Sequence, residues 1–452
     1  MDIPPMPAAP DLKDGKPTSV RHWVLGAATL TAFLLYLDRI CFAWIIDSDS
    51  FKKDIHLVEG QSDMIKGLFF WAYALAQVPA GWLSDRFGTR ALMTTYILLW
   101  SAFTALTSLS DGFLMLLVAR VGCGIAEAGA YPASSSMLTR WSHVNWRGLG
   151  SSIISAGGRI GGALAPWLTA SVIIAYFSNW RWVGFIYGGI GLFVAVVFWI
   201  VVRDHSRLHP GCNQAERDLL AEGRKNQALR EPPRRFPWRH ALRSRSLWMA
   251  SLYQTTTNIG WAFLVNSLST YLKTVKHMDD TVNGQVSSVA LFLGIVGLPL
   301  GGMLTDWWSK KHGVRAGRMM PLVVTRIIAV AAYFWVMAAD TPLQMALAFG
   351  ALAMFVDMGM PAMWALMQDI SGRHQAQLFG WANMWGNFGA GLQPMIVGYI
   401  LIHYDKNNDY QEGLLFCAGA LIASIVIAFF INADEPVVPV EEDVDTSGAP
   451  SH

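Results

Sequence analysis

The amino-acid sequence predicts an all-α membrane protein: twelve transmembrane helices in two pseudo-symmetric six-helix bundles. Three observations carry that expectation. Of 452 residues, 53% are hydrophobic and 15% charged, with a mean hydropathy of +0.34, which is too apolar for an ordinary soluble domain. The apolar residues fall in continuous blocks of about 20 residues or more, the length of helix that crosses a bilayer, and continuity instead of alternation selects helices over barrel strands. Finally, one long polar break divides the blocks six and six, and a short turn motif recurs at the same place in each half.

The chain begins with a polar tail, 1–21. It leads into an apolar run that is too long for a signal-peptide core and lacks a small-residue cleavage site, so the run reads as an anchor. The expected spans are 22–46, 63–84, 90–109, 113–139, 146–173 and 179–202, forming a first bundle over 22–202. Span one holds Asp38 and Arg39 well inside the apolar stretch, preceded by Tyr36. Charges at that depth cost about 3 kcal/mol each on insertion scales, so they face a protein interior or a wet cavity and mark a solute or proton route, or else form a structural ion pair. Span two places Tyr73 and Gln77 one turn apart, on one face, before the turn Gly81-Trp82-Leu83-Ser84-Asp85-Arg86-Phe87-Gly88-Thr89-Arg90. On span four, Arg120 and Glu127 are two helical turns apart, about 10 Å along the axis. Burial raises the pKa of such a carboxylate and a neighbouring guanidinium lowers it, so Glu127 can be sensitive to whatever occupies that base. The alternative is that Arg120 and Glu127 saturate each other and Asp38. Span five carries Arg159 within Gly157-Gly158-Arg159-Ile160-Gly161-Gly162; glycines at i and i+4 point to close helix packing. Arg159 either serves a second acidic group or pairs with Asp357 or another acid.

Residues 203–245 are Arg-rich and include Pro232 and Pro233. They read as a cytoplasmic linker with a short amphipathic helix near Gln214 to Ala221, lying close to an anionic leaflet. A basic run beside a span is topological, and nucleic-acid binding is not expected. The second bundle, 246–433, contains spans at 246–274, 284–305, 318–338, 342–368, 376–403 and 411–432. Gln254 and Asn258 on span seven, and Asn383 and Asn387 on span eleven, repeat the one-turn spacing of Tyr73 and Gln77. Each is either interhelical glue or a contact for a hydroxylated ligand. The turn motif returns after span eight as Gly302-Met303-Leu304-Thr305-Asp306, with Gly313 and Arg315 following. Its Asp can cap a helix N-terminus or pair with Arg across the half, which makes Gly81, Asp85, Arg86, Gly88, Arg90 and Asp306 candidate gating residues. Asp357 lies inside span ten and needs the same explanation as Asp38. The acidic, Pro-containing tail 434–452 reads as disordered.

The connections alternate in charge. Arg86, Arg90, Arg140, Arg147, Lys310, Lys311, Arg315, Arg318 and Arg373 lie in one set, and Asp47, Asp49, Asp54, Asp111, Asp279, Asp280 and Asp340 in the other. The positive-inside rule then places both termini in the cytoplasm, at an inner or plasma membrane. Cys41, Cys123, Cys212 and Cys417 have no ligand spacing and no evident pairing. With no phosphate-binding loop, nucleophile motif or metal cluster, neither an enzyme nor a cofactor is expected, and nothing provides for the use of ATP.

The stretch Phe70-Trp71-Ala72-Tyr73-Ala74-Leu75-Ala76-Gln77-Val78-Pro79-Ala80-Gly81-Trp82 with its loop, the intramembrane Asp38-Arg39, Arg120 to Ala128, and Asn383 to Gly389 together resemble the major facilitator superfamily. Within it they resemble the anion:cation symporter family of sugar-acid importers and sialin-like transporters. The resemblance covers essentially the whole chain. It implies proton-coupled uptake of a small organic anion, such as a hexonate, hexarate or hexuronate, by a monomer using alternating access. It also implies Arg39 as the substrate-binding arginine, Asp38 and Glu127 as protonatable acids and Arg120 as a coupling arginine. A guanidinium suits that task because its planar fork accepts a carboxylate bidentately and keeps its charge. Where such importers have Trp and Pro before Thr-Tyr-Leu on span seven, this chain has Ser267 and Ser269. Organophosphate or organic-anion exchange, and a metabolite sensor on a transporter fold, are the other readings.

Overall fold

The computed structural model describes residues 16–58, 61–143, 146–221, 238–278, 280–372, 374–404 and 410–438. The expectations for residues 1–15, for the Pro-containing centre of the linker, for Asp279 and Arg373, and for the tail beyond 438 lie outside the described residues. Seven long helices precede the linker, beside short ones at Asp49–Asp54 and Ala175–Phe177: α1 (Val20–Asp47), α2 (Gln61–Phe87), α3 (Thr89–Ser108), α4 (Phe113–Glu127), α5 (Ala130–Trp141), α6 (Arg147–Pro166) and α7 (Arg181–Val201). Within the linker lies α8 (Gln214–Ala221). After it come α9 (Arg245–Asn266), α10 (Asp280–His312), α11 (Val314–Ala338), α12 (Pro342–Met358), α13 (Met360–Ile370), α14 (Gln375–His403) and α15 (Gln411–Ala428). No strand occurs among the described residues.

Eight spans among the described residues are long and apolar enough to cross a membrane: α1, α3, α4 with α5, α7, α10, α11, α12 with α13, and α15. A ninth is α6 with its continuation to Phe177, bent by 42°, where the helix widens to a π-helical stretch at Trp167–Ile174 directly after Pro166. The remaining three of the twelve expected spans, α2, α9 and α14, are as long but less apolar. These are the helices carrying Tyr73 and Gln77, Gln254 and Asn258, and Asn383 and Asn387.

Packing sorts the helices into two sets. In the first, α1 packs on α6 and α7, α2 on α4, and α3 on α4 and α7. In the second, α10 packs on α12, α9 on α14 and α15, and α11 on α12 and α15. The sets meet along two seams, α2 against α14 and α6 against α10. Glycine makes the close approaches possible: a Cβ at Gly161 would lie 2.1 Å from the Phe33 carbonyl oxygen on α1, and one at Gly81 would lie 2.4 Å from that of Ala376 on α14.

Three expected spans are interrupted where the sequence reads as continuous: the seventh breaks at Ser267, before a short helix Leu268–Thr274, and two others break at glycine. The fourth breaks between Glu127 and Ala130, and the tenth at Gly359. Helix α8 has the bounds anticipated for the linker helix. Asn213 caps it by accepting from Glu216 N at 3.0 Å, and the buried Glu216 accepts from Arg21 N and Nη1, both at 3.1 Å, and from Thr18 Oγ1. The linker helix is thereby tied to the start of α1.

Candidate functional site

Neighbours on a helix diverge by about 100°, so Asp38 and Arg39 leave α1 in different directions. Arg39 turns to α4: its Nε and Nη2 donate to Glu127 Oε2 at 3.0 and 2.8 Å. Glu127 is wholly buried, and its Oε1 lies 3.4 Å from Cys123 Sγ. The guanidinium sits over the Tyr73 ring at 4.3 Å, with Tyr36 at 5.3 Å and Phe69 at 5.7 Å, and the Arg39 side chain keeps 12% exposure. This is a cation held in an aromatic cage beside its counter-ion and still partly accessible.

Asp38 is wholly buried, and no donor meets either carboxylate oxygen at hydrogen-bond geometry among the described residues. Arg120 lies between the Phe42 ring at 4.5 Å and the Phe69 ring at 4.7 Å and forms no ion pair among the described residues. The alternative in which Arg120 and Glu127 saturate each other is therefore corrected. Two turns of α4 separate them, and Glu127 is engaged by Arg39 from another helix.

Tyr73 and Gln77 are both buried on α2, and neither amide atom of Gln77 finds a partner among the described residues. Gln254, Asn258, Asn383 and Asn387 are half-buried. Asn258 Nδ2 donates to the Gln254 carbonyl and Asn387 Nδ2 to that of Asn383, each at 2.8 Å, so these two amides bond their own helix one turn back and bridge no seam. Gly386 brings α14 against Asn258, where a Cβ would lie 2.7 Å from its Nδ2. Arg159 on α6 donates through Nη2 to Asp357 Oδ1 on α12 at 2.9 Å and lies over the Trp261 ring at 4.6 Å.

One end of the molecule is closed by contacts between the two sets of helices. Asp85, ending α2, accepts from the backbone N–H groups of Ala376 and Gln377 at the start of α14, both at 3.0 Å, and from Ser136 Oγ. Asp306, in the last turns of α10, accepts from Gly148 N at 3.0 Å and Leu149 N at 2.9 Å at the start of α6. Neither α6 nor α14 is capped by its own N-cap side chain. Each borrows a carboxylate from the opposite half, where it also meets the positive end of the helix dipole. Gly88 and Gly313 hold the following turns at φ of 91° and 86°, a region that favours glycine.

Two gating candidates do not fit this latch. Arg86 is exposed and stacks over Trp82 and Phe87 of its own helix, because it leaves α2 on the face turned away from α14. Arg90 donates to the Trp199 carbonyl at 2.8 Å and takes the Asp204 carboxylate at its backbone N–H, which ties α3 to the end of α7 within one half.

Sequence reasoning missed three parts of the site. Asp369 bridges the halves, accepting from Arg147 Nη1 at 2.5 Å and Arg318 Nε at 2.8 Å. The Gln368 and Gln375 amides reach Ser135 across the same interface, at 3.4 and 3.1 Å. Arg326, buried on α11, donates to the carbonyls of Phe355 at 3.1 Å and Val356 at 2.9 Å at the break after α12, where Val356 also accepts from Gly359 N. Its position inside an apolar span was the available signal for this last role.

Residues 28–394 and 307–450 match the family model described as Major Facilitator Superfamily. A protein of Cupriavidus necator described as a "probable sulfoacetate transporter" is 25% identical over 441 residues, covering 96% of this chain and 98% of its own. A "probable galactarate/D-glucarate transporter" of Escherichia coli strain K12 is 29% identical over 416 residues, covering 85% and 88%. Among solved structures, the human organic anion transporter MFSD10 superposes with a TM-score of 0.66 at 14% identity, covering 90% of this chain and 99% of that one, a likeness of fold alone.

Proposed function

Because the chain belongs to the Major Facilitator Superfamily, we propose that it is a secondary active transporter that moves a small organic carboxylate, a sugar acid, together with protons. The observation that carries this reading is the Glu127 carboxylate seated on the Arg39 guanidinium in a buried, partly accessible cage. An incoming carboxylate and Glu127 compete for the same cation, and a proton on Glu127 removes the competitor. Substrate and proton therefore favour each other's binding, as symport requires. Asp38 and Arg120 belong to the same charge set, and Tyr36, Tyr73, Gln77, Gln254, Asn258, Asn383 and Asn387 meet the hydroxyl groups of the solute. The unpartnered amide of Gln77 supports that assignment, since a buried polar group without a partner is costly unless a ligand uses it.

All twelve expected spans cross the membrane as two six-helix bundles, and the bundles rock about the central site. With the Arg-rich connections in the cytoplasm, the latched end is the cytoplasmic one and the described state faces outward. The monomer is the transporting unit. The galactarate/D-glucarate relative supports a sugar acid, and the sulfoacetate relative supports a small anion in general.

The test is uptake of radiolabelled galactarate into proteoliposomes containing the purified chain, with the outside made acid. Accumulation above equilibrium that collapses with a protonophore is the expected result. Uptake that never exceeds equilibrium but exchanges with preloaded galactarate would replace symport by exchange.

A further inference from the structure

The two halves repeat an acid at a helix break. Glu127-Ala128-Gly129 ends α4, and Asp357-Met358-Gly359 ends α12, with the acid two residues before the glycine in both. Each acid is buried, and each holds an arginine from another helix: Glu127 holds Arg39 at 2.8 Å and Asp357 holds Arg159 at 2.9 Å. Both guanidinium groups also lie over an aromatic ring, Tyr73 at 4.3 Å and Trp261 at 4.6 Å, and both side chains remain partly accessible, at 12% and 19%.

Tyr36 joins the two pairs. The Arg39 guanidinium carbon is 5.3 Å from the Tyr36 ring. Gly158, next to Arg159, approaches the same residue so closely that a Cβ there would lie 2.9 Å from that ring and 2.8 Å from the Tyr131 hydroxyl. Both guanidinium groups are close enough to the Tyr36 and Tyr131 hydroxyls to act on them electrostatically, so the two arginines share one chamber. Arg159 makes a single hydrogen bond among the described residues, to Asp357, so most of its N–H donors are uncommitted.

A purely structural ion pair at this depth is a poor use of two charges, because apolar residues of similar size would hold the helices at least as well. A carboxylate resting on a guanidinium has the geometry of a bound carboxylate ligand, and the chamber contains that arrangement twice. We propose that Arg159 is a second anion-binding residue, so that the preferred solute carries two acid groups, one received by Arg39 and the other by Arg159. Each displaces a resident carboxylate, Glu127 or Asp357. This rests on the sugar-acid reading of the same site and narrows it to diacids.

The experiment is calorimetry on the purified full-length chain with galactarate, a six-carbon diacid, and galactonate, the same carbon chain with one carboxylate. A second matched pair is sulfoacetate, a short dianion, and methylsulfonylacetate, its single-charge counterpart. The variant is Arg159→Gln combined with Asp357→Asn, which removes the pair without leaving a lone buried charge. In the native chain the dianion of at least one pair binds more tightly than its monoanion. In the double variant that dianion loses about 10- to 100-fold, the scale expected for losing charge-assisted hydrogen bonds, while the monoanion changes less than about twofold. Equal native affinities within both pairs, an unchanged dianion affinity in the variant, equal losses for both members, or no binding by any probe each overturn the proposal. Binding of the sulfoacetate pair alone, with the expected pattern, keeps the second anion site and removes the sugar-acid reading.

Discussion

A buried arginine needs an acid to balance it, and how that acid is held decides whether the arginine can also carry a solute. Glu127 engages Arg39 through one oxygen, and no other cation pairs with it among the described residues. Neutralising Glu127 frees the fork without filling its place. Glu127→Gln is expected to abolish accumulation driven by a proton gradient while counterflow stays measurable, because in the proposed mechanism Arg39 binds the solute and the Glu127 carboxylate couples it to the proton. Gradient-driven accumulation at the native level in that variant would remove Glu127 from the coupling step. Arg39→Lys keeps the charge but loses the planar fork. Losing one charge-assisted hydrogen bond is worth about 1.5–3 kcal/mol, so galactarate affinity by calorimetry should fall about 10- to 100-fold; native affinity would mean that charge alone suffices.

At the scale of helices, the breaks after Glu127 and Asp357 are the elements that present acids, and Arg326 maintains the second of them. It donates to the Phe355 carbonyl and to that of Val356, which also takes the Gly359 N–H, and it reaches Thr257 on α9 at 3.3 Å. Arg326→Leu would orphan the Phe355 carbonyl at about 1–3 kcal/mol and leave that of Val356 with the Gly359 N–H alone, so the melting temperature in detergent should fall by a few degrees. Arg86→Leu, at an exposed position stacked only on its own helix, should melt like the native chain. Equal melting of the two variants would deny Arg326 its supporting role. These features were unequally legible in the sequence. The bounds of α8 were readable because local signals end a short helix, here Asn213 at its N-cap. The breaks were not, because a glycine inside a continuous apolar run also reads as packing. Pairings such as Arg159 with Asp357 could be named only as possibilities, since spacing along one helix says nothing of which distant helix faces it.

For the molecule as a whole, the repeated Gly-x-Leu-(Ser/Thr)-Asp turn does one job twice, with exchanged partners. Asp85 from the first half caps α14 of the second, and Asp306 from the second caps α6 of the first. The repeat was readable in the sequence, but its target was not, because a cap supplied by another element leaves no trace next to the helix it caps. Each carboxylate accepts two backbone N–H groups at the positive end of a helix dipole, whereas an Asn has a single carbonyl oxygen and no charge. Each Asp→Asn change should therefore weaken the closed end by about 1–2 kcal/mol, and as separate contacts the two should roughly add. A combined shift of about 2–4 kcal/mol moves a two-state equilibrium about 30- to 1000-fold, enough to open the latched end if the two access states differ by a few kcal/mol. Ala376→Cys is a suitable reporter because that position is wholly buried at the junction and the four native cysteines are buried as well. Burial and the neighbouring Glu216 carboxylate also push the Cys212 thiol up to about 12, which keeps the linker cysteine protonated and slow to react. Maleimide labelling at position 376 should be slow alone and much faster with Asp85→Asn and Asp306→Asn together, with each single variant between. Labelling that stays slow in the double variant would mean that the two carboxylates only cap helices and that the Arg147–Asp369–Arg318 bridge keeps the end shut without them.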